Sequence, residues 1–297
     1  MRVRAAGLNR ADLLQRQGRY AAPPGAAADV PGLEFAGEIV ELGADVAGWR
    51  LGDLVFGIVA GGAQAEFLCT AASTLARVPD SLDWVDAAAV PEAFITAHDA
   101  LVSQGALSAG ERVVVHAVGS GVGLAAAQLC DALGATVFGT TRTREKLARA
   151  GVAAVHHGAV LDDGPAPLAE AVRAWSDGAG ADLVLDLVGG DYVAAGLASL
   201  APRGRLILVG LVAGRRADLD LGLLLSRRLT LRGTVLRSRS VREKAAATSA
   251  FVKDVVPLLA SGRVRPIVER AYPLHEIGAA HARLASNETF GKLVLVL

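Results

Sequence analysis

The stretch Arg112-Val113-Val114-Val115-His116, followed at once by Ala117-Val118-Gly119-Ser120-Gly121-Val122-Gly123, constrains this chain more than any other. A short continuous apolar run reads as a buried strand. The glycine-rich turn after it opens a segment in which Val122, Ala125, Ala126, Leu129 and Leu133 share one helical face. Gly134 stands where a helix C-terminal cap is wanted, and Thr136-Val137-Phe138-Gly139-Thr140 reads as the next strand. Apolar strands recur at 182–186, 205–210 and 229–233. Strands alternating with helices of this length predict an α/β fold with a Rossmann-type, doubly wound parallel sheet.

Before about Pro91 the texture is different. Phe35-Ala36-Gly37-Glu38-Ile39-Val40, Asp53-Leu54-Val55-Phe56-Gly57-Ile58-Val59 and Ala65-Glu66-Phe67-Leu68-Cys69-Thr70 read as short strands between glycine turns, the pattern of a small β-barrel or sandwich. That texture returns in Gly291-Lys292-Leu293-Val294-Leu295-Val296-Leu297. We therefore expect one domain inserted into another. Residues 1–92 form the first part of a β domain and 93–233 the core of the α/β domain. Residues 234–264 end the α/β domain and cross over, and 265–297 return to the β domain.

Bulk properties narrow the function classes. With 52% hydrophobic and 20% charged residues the chain is globular rather than disordered. Its 30 basic and 30 acidic residues cancel, which argues against a broad nucleic-acid or anionic-membrane footprint. Cys69 and Cys130 can build neither a disulfide framework nor a four-cysteine metal lobe, and a reducing compartment fits. No apolar signal core follows the basic start, and the apolar run 221–225 meets Ser226-Arg227-Arg228 too soon to span a bilayer. The expectation is a cytoplasmic protein without a membrane or nucleic-acid partner.

A strand feeds the glycine turn and an amphipathic helix leaves it, so the backbone N–H groups at the helix start suit a phosphate. Gly121 allows close approach to a pyrophosphate, Gly123 allows the helix to pack on the strand, and Gly119 belongs to the same cofactor turn. The regular glycine spacing of dinucleotide sites is broken by Val118 and Ser120, so a tight turn without a ligand explains the letters alone. Context favours a dinucleotide. An NAD site wants an acid at the tip of the second strand, whereas this one ends Thr140-Thr141-Arg142-Thr143-Arg144-Glu145-Lys146. With no carboxylate at the tip, the cluster Arg142, Arg144 and Lys146 beside Thr141 favours the 2′-phosphate of NADPH, although a solvated basic helix turn would look the same.

Near the start, Asn9 reads as the N-cap of a short helix with Asp12 reaching back, and Tyr20 as a loop tyrosine. Leu8-Asn9-Arg10-Ala11-Asp12-Leu13-Leu14-Gln15-Arg16-Gln17-Gly18-Arg19-Tyr20, Pro31-Gly32-Leu33-Glu34-Phe35-Ala36-Gly37 and Ala89-Val90-Pro91-Glu92-Ala93 resemble the quinone oxidoreductase branch of the medium-chain dehydrogenase/reductase superfamily. The likeness is greatest to the zeta-crystallin-related, tumour-suppressor-inducible NADPH quinone oxidoreductases, and it runs over nearly the whole chain. It implies a GroES-like β-barrel catalytic domain beside the Rossmann domain, with NADPH in the cleft and a homodimer formed near residues 229–233. Asn9 and Tyr20 would line the nicotinamide and acceptor pocket. Ser120, Gly121 and Val122 would hold the pyrophosphate and Arg142 the 2′-phosphate. Gly189, Gly190, Val209, Gly210 and Leu211 would follow the adenosine and ribose, while Phe290, Gly291 and Lys292 would close the site. Where this branch often places a Tyr or His near the 2′-phosphate, this chain has Gly158.

Zinc-dependent relatives carry a Cys in the early loop and Gly-His-Glu where this chain has Gly32-Leu33-Glu34, so no metal is expected. The expected reaction is zinc-independent hydride transfer from NADPH to a quinone, with Tyr20 or water supplying the proton. An enone or enoyl-thioester reductase, and a crystallin-like nucleotide binder without useful catalysis, remain alternatives. Family members carry more chain ahead of Arg2-Val3-Arg4, which predicts a barrel truncated at its N-terminus with an unpaired edge.

Overall fold

The computed structural model describes residues 1–297. In chain order its elements are β1 (Arg2–Gly7), α1 (Arg10–Arg16), β2 (Glu34–Glu38), β3 (Leu54–Ile58), β4 (Leu75–Arg77), α2 (Trp84–Ala88) and α3 (Pro91–His98). Then come β5 (Arg112–Val115), α4 (Gly121–Ala132), β6 (Thr136–Thr141), α5 (Arg144–Arg149), β7 (His157–Val160), α6 (Leu168–Trp175), β8 (Ala181–Asp186) and α7 (Asp191–Ser199). The remainder is β9 (Leu200–Leu208), α8 (Leu221–Arg227), β10 (Thr230–Gly233), α9 (Val241–Asp254), α10 (Val256–Ala260), β11 (Val268–Pro273), α11 (Ile277–Ala285) and β12 (Lys292–Val296). No helix is long and apolar enough to cross a membrane. The chain divides into two compact units, residues 1–96 with 236–297, and residues 97–235.

The first unit is built on a six-stranded sheet in the order β11-β12-β1-β2-β3-β4. In β12, the run Lys292-Leu293-Val294-Leu295 is buried on both faces, which is why it reads as continuous rather than alternating. It lies antiparallel to β1, with Ala6 opposite Leu295, and β1 is antiparallel to β2 on its other side. The first strand is therefore paired on both sides, and the open edges of the sheet are β11 and β4. One core cluster gathers Val3, Ala6, Phe35, Ile39 and Val55, and another gathers Leu8, Tyr272, Leu293 and Leu295.

Two sequence expectations are corrected in this unit. Residues 65–70 form no strand, only an isolated bridge between Arg2 and Phe67, and Phe67 is 57% exposed with the Arg2 guanidinium 5.7 Å from its ring. Alternation there reflects a strip lying along the surface. Most of 234–264 joins this unit rather than ending the α/β unit. Phe251 of α9 is fully buried, edge-on to Phe56 of β3 at 5.9 Å, and the Ser81 hydroxyl donates to the Leu259 carbonyl at 3.2 Å. Burying a phenylalanine is worth about 1.5–3 kcal/mol. That apolar anchor outweighs the period reading, which gives no address for an amphipathic helix.

The second unit holds a parallel sheet in the order β10-β9-β8-β5-β6-β7. Counted along the chain this is the doubly wound 3-2-1-4-5-6 arrangement, whose direction of winding reverses beside β5. Its core includes Val114, Phe138, Leu168, Val184 and Leu206. Ligands of such sheets sit outside the carboxyl ends of the strands at that reversal, where β5 and β8 end. The sequence missed β7, whose Gly158 lies opposite Gly139 of β6. A Cβ at Gly158 would fall 2.2 Å from the Gly139 carbonyl oxygen and 2.7 Å from Leu147 Cδ1, so no larger residue fits this register.

Candidate active site

In the second unit the glycine turn links β5 to α4. Ser120 is the N-cap, its hydroxyl accepting from the Gly123 N–H at 3.1 Å. The N–H groups of Gly121 and Val122 begin the helix and so have no intrahelical acceptor. A Cβ on Gly123 would lie 2.6 Å from the Ala117 oxygen and 2.7 Å from Val118 Cα, which fixes glycine there for packing. Gly119 is buried.

The carboxyl end of β8 supplies a feature that sequence reasoning did not single out. Asp186 is fully buried, and its Oδ1 accepts from the N–H groups of Val188 at 2.7 Å and Gly189 at 2.9 Å. Those bonds shape a turn in which Gly189 and Gly190 hold φ of +73° and +58°, a region that side chains resist. The backbone N–H groups of Val209 and Gly210 both donate to the Asp186 carbonyl, and Leu211 is 48% exposed beyond them. His116, also buried, bonds Thr140 through Nδ1 at 2.9 Å, and burial pushes its pKa down to about 4. His116 thereby ties the glycine turn to the end of β6. Its Nε2 and the Asp186 Oδ2 are buried without a partner.

At the tip of β6 the Thr141 hydroxyl donates to the Thr143 carbonyl at 2.7 Å, so its proton is held inward. Arg142 is exposed, Lys146 is partly buried in α5, and no carboxylate stands at the tip. Tyr192 of α7 lies within reach of the Arg142 charge: burial raises its pKa and Arg142 lowers it. A helix start with free N–H groups, glycines that a Cβ would obstruct, and an exposed guanidinium fit a dinucleotide phosphate chain.

The first unit concentrates ionisable groups. Glu34 is fully buried, with Oε1 accepting from Asn9 Nδ2 at 2.8 Å and from Lys292 Nζ, and Oε2 accepting from the Glu92 N–H at 2.8 Å. Lys292, 5% exposed, uses its other two N–H bonds on the Leu8 carbonyl and Asn9 Oδ1, both at 2.8 Å. An ammonium has three donors, so none is left for a cofactor phosphate. Phe290 is likewise buried, with its N–H on Glu269. Phe290 and Lys292, expected from the resemblance to close the site, are thus both buried, and every Lys292 donor is used inside the first unit.

Asn9 precedes α1, and its backbone N–H donates to Asp12 Oδ2 at 2.8 Å as expected. Its side chain completes the capping box and also serves Glu34 and Lys292. Asp12 also accepts from Gly32 N and Gln64 Nε2, and burial raises its pKa to about 6 against those bonds and Lys292. Tyr20 is half-buried, and the guanidinium of Arg237 stacks 4.6 Å from its ring centroid. Arg237, 4% exposed, donates to the Ala60 carbonyl at 2.9 Å, the Tyr20 carbonyl at 3.3 Å and Gln15 Oε1. Sequence reasoning missed both Arg237 and Glu92, whose pKa burial and then Glu34 raise to about 8.

A zinc ion does not fit this set. No three His, Cys, Asp or Glu side chains are grouped to hold a metal, and every Glu34 oxygen already has N–H donors.

Residues 1–80 match the family described as alcohol dehydrogenase GroES-like domain, and 155–295 the zinc-binding dehydrogenase family. The chain is 33% identical over 301 residues to a quinone oxidoreductase of Pseudomonas aeruginosa, covering 100% of this chain and 90% of that protein. Among solved structures, mycobacterial Rv1454c complexed with NADPH aligns at a TM-score of 0.88 and 31% identity, covering 100% of this chain and 90% of that one. The JamJ enoyl reductase aligns at 0.87 and 26%, covering 99% and 89%. The two units are thus the GroES-like and Rossmann parts of one fold, and the chain belongs to the quinone oxidoreductase branch of the medium-chain dehydrogenase/reductase superfamily of oxidoreductases.

Proposed function

We propose that this protein is a zinc-independent NADPH:quinone oxidoreductase acting in the cytoplasm. The observation that carries the reading is the pairing of a phosphate-ready α4 start with a β6 tip bearing Arg142 and no acid. A carboxylate at that tip would accept the ribose hydroxyls of NAD, whereas a guanidinium answers the 2′-phosphate. Gly189, Gly190, Val209, Gly210 and Leu211 are the backbone along which the adenosine and ribose would lie. NADPH, when bound, supplies the hydride.

The residues of the first unit do the rest. Asn9 is held by Glu34, Lys292 and Asp12, so its side chain cannot swing, and Tyr20 is fixed under Arg237. Groups held this way orient an acceptor carbonyl rather than ionise an alcohol. Quinones and activated enones need only orientation and one proton beyond the hydride. The exposed edge strand β10, with Leu231 38% exposed, supports a homodimer.

The test is NADPH and NADH oxidation against quinones, simple enones and enoyl-thioesters, with metal analysis of the purified protein. Faster NADPH-linked turnover of quinones is expected. NADH preference, or stoichiometric zinc in a protein purified without added metal, would overturn the reading. The likeness to the JamJ enoyl reductase favours enoyl-thioesters as the second reading, and preferential turnover of that class would establish it.

A further inference from the structure

Three carboxyls of the first unit share one neighbourhood, and they are not equivalent. Asp12 accepts three hydrogen bonds, and so does Glu34, one of them from the Lys292 ammonium. Glu92 is different. Its backbone N–H is pinned to Glu34, while its side chain, in the first turn of α3, has no hydrogen bond or ion pair. It is only partly exposed. A carboxyl with little water and no donor, beside carboxylates that are fully satisfied, is the one that keeps a proton.

The groups facing Glu92 come from six other places. Glu34 on β2 and Asp12 on α1 disfavour its charge, while Lys292 on β12 and Arg237 after β10 favour it. Lys244 on α9, 8% exposed, and Tyr20 after α1 each feel the Glu92 charge in turn. The dipole of α3 also favours the ionised form, but it acts with the two cations against burial and two carboxylates. Burial leads, and the carboxyl titrates at about 8. Tyr20 moves the other way for catalysis: burial raises its phenol further above the ordinary tyrosine value. A general acid works best when it titrates near the working pH, so Glu92 suits the role better than Tyr20.

We propose that the protonated Glu92 side chain is the acid that completes quinone reduction, with Tyr20 orienting the oxygen that receives the proton. This rests on the quinone reading above. Hydride transfer takes two electrons and one hydrogen from NADPH to the quinone, oxidising the first and reducing the second, and leaves one anionic oxygen on the product. The Glu92 O–H bond breaks, the new O–H bond forms on that oxygen, and the Glu92 carboxylate takes its next proton from water.

The test compares the full chain with Glu92→Gln, Glu92→Asp and Tyr20→Phe, using a quinone and NADPH. Wild-type kcat should fall above about pH 8, the value at which Glu92 titrates. Glu92→Gln should lose that limb and be about 100-fold slower at neutral pH, the lower bound for a lost general acid. Glu92→Asp should keep a limb and most of the rate, and Tyr20→Phe should keep the limb while losing rate. NADPH binding by fluorescence should be unchanged in Glu92→Gln, which separates loss of chemistry from loss of fold. An infrared carboxylic-acid carbonyl band that titrates in the wild type and is absent from Glu92→Gln would place the proton without any turnover. Quinone turnover by Glu92→Gln at the wild-type rate with the same limb overturns the acid role alone. Absence of quinone turnover in the wild type overturns the quinone reading and the acid role with it.

Discussion

Lys292→Met isolates what holds the first unit's polar centre together. The substitution keeps most of the side-chain volume, so the packing loss is small. It removes all three ammonium hydrogen bonds, to the Leu8 carbonyl, Asn9 Oδ1 and Glu34 Oε1. Glu34 is 0% exposed at its side chain and keeps only the neutral donors Asn9 Nδ2 and Glu92 N. Stranding a buried charge by deleting its partner costs about 3–5 kcal/mol. That is a large share of a typical domain's stability of about 5–15 kcal/mol. Urea unfolding followed by tryptophan fluorescence reads it, since Trp49 and Trp84 both lie in this unit. The double variant Lys292→Met/Glu34→Gln removes the stranded charge and should recover at least about half of the loss, giving a coupling within the usual range of about 0.5–3 kcal/mol. A loss below about 1 kcal/mol in the single variant, the value of a surface pair, would refute the argument. So would a double variant whose loss is the plain sum of the two single ones.

Arg142→Glu should weaken NADPH binding by about 10- to 100-fold, the value of one charge-assisted hydrogen bond to a phosphate, and leave NADH affinity nearly unchanged in fluorescence titration. Gly123→Ala should abolish nucleotide binding and lower the thermal midpoint, because its Cβ would meet backbone atoms at 2.6 and 2.7 Å that cannot yield as a flexible side chain would. Tyr20→Phe should lower kcat/KM by roughly 10-fold through lost orientation, worth about 1.4 kcal/mol. In the first unit, Asp12 and Glu92 both titrate higher when folded than when unfolded, at about 6 and about 8 against ordinary values of 3.8 and 4.5. The folded state therefore holds these protons more tightly, and their contribution to stability is full below about pH 4 and lost as pH rises through 6 and then 8. Urea midpoints measured between those limits should fall with pH in the wild type and fall less in Glu92→Gln.

What the sequence disclosed follows the range of the interactions involved. The β5–turn–α4 unit is legible because its strand, cap and glycines are contiguous, and Gly123 is demanded by residues five and six positions earlier. The Gly189-Gly190 turn is nearly as local, since Asp186 shapes it from three residues away. The polar centre of the first unit is not local at all. Glu92 meets Glu34 across 58 residues, Arg237 meets Gln15 across 222, and Lys292 meets Glu34 across 258. No periodicity reports such pairings. One signal was available: Glu92 is the lone charge in Ala87-Ala88-Ala89-Val90-Pro91-Glu92-Ala93-Phe94-Ile95, and a charge inside an otherwise apolar run needs a partner or a purpose.

The same long-range pairings explain why the early helix cap shows only part of what Asn9 does. Asn9 has the letters of a cap, and an isolated helix would use it so. Here the folded unit offers the side chain a buried carboxylate on one atom and an ammonium on the other, both at 2.8 Å. Hydrogen bonds to charged groups are worth about 1.5–3 kcal/mol against about 0.5–1.5 for a neutral one, so these tertiary bonds add more than the cap alone would. The consequence reaches the chemistry. Lys292 neutralises Glu34 and, by using its last two donors on Leu8 and Asn9, fixes Asn9 in place. It has no hydrogen bond left for Glu92, whose proton is held mainly by burial and then by the Glu34 charge, against the pull of Lys292. Pairing at Glu34 and unpartnered burial at Glu92 thus give two neighbouring glutamates different parts, an ion-pair partner for Lys292 and the acid proposed above.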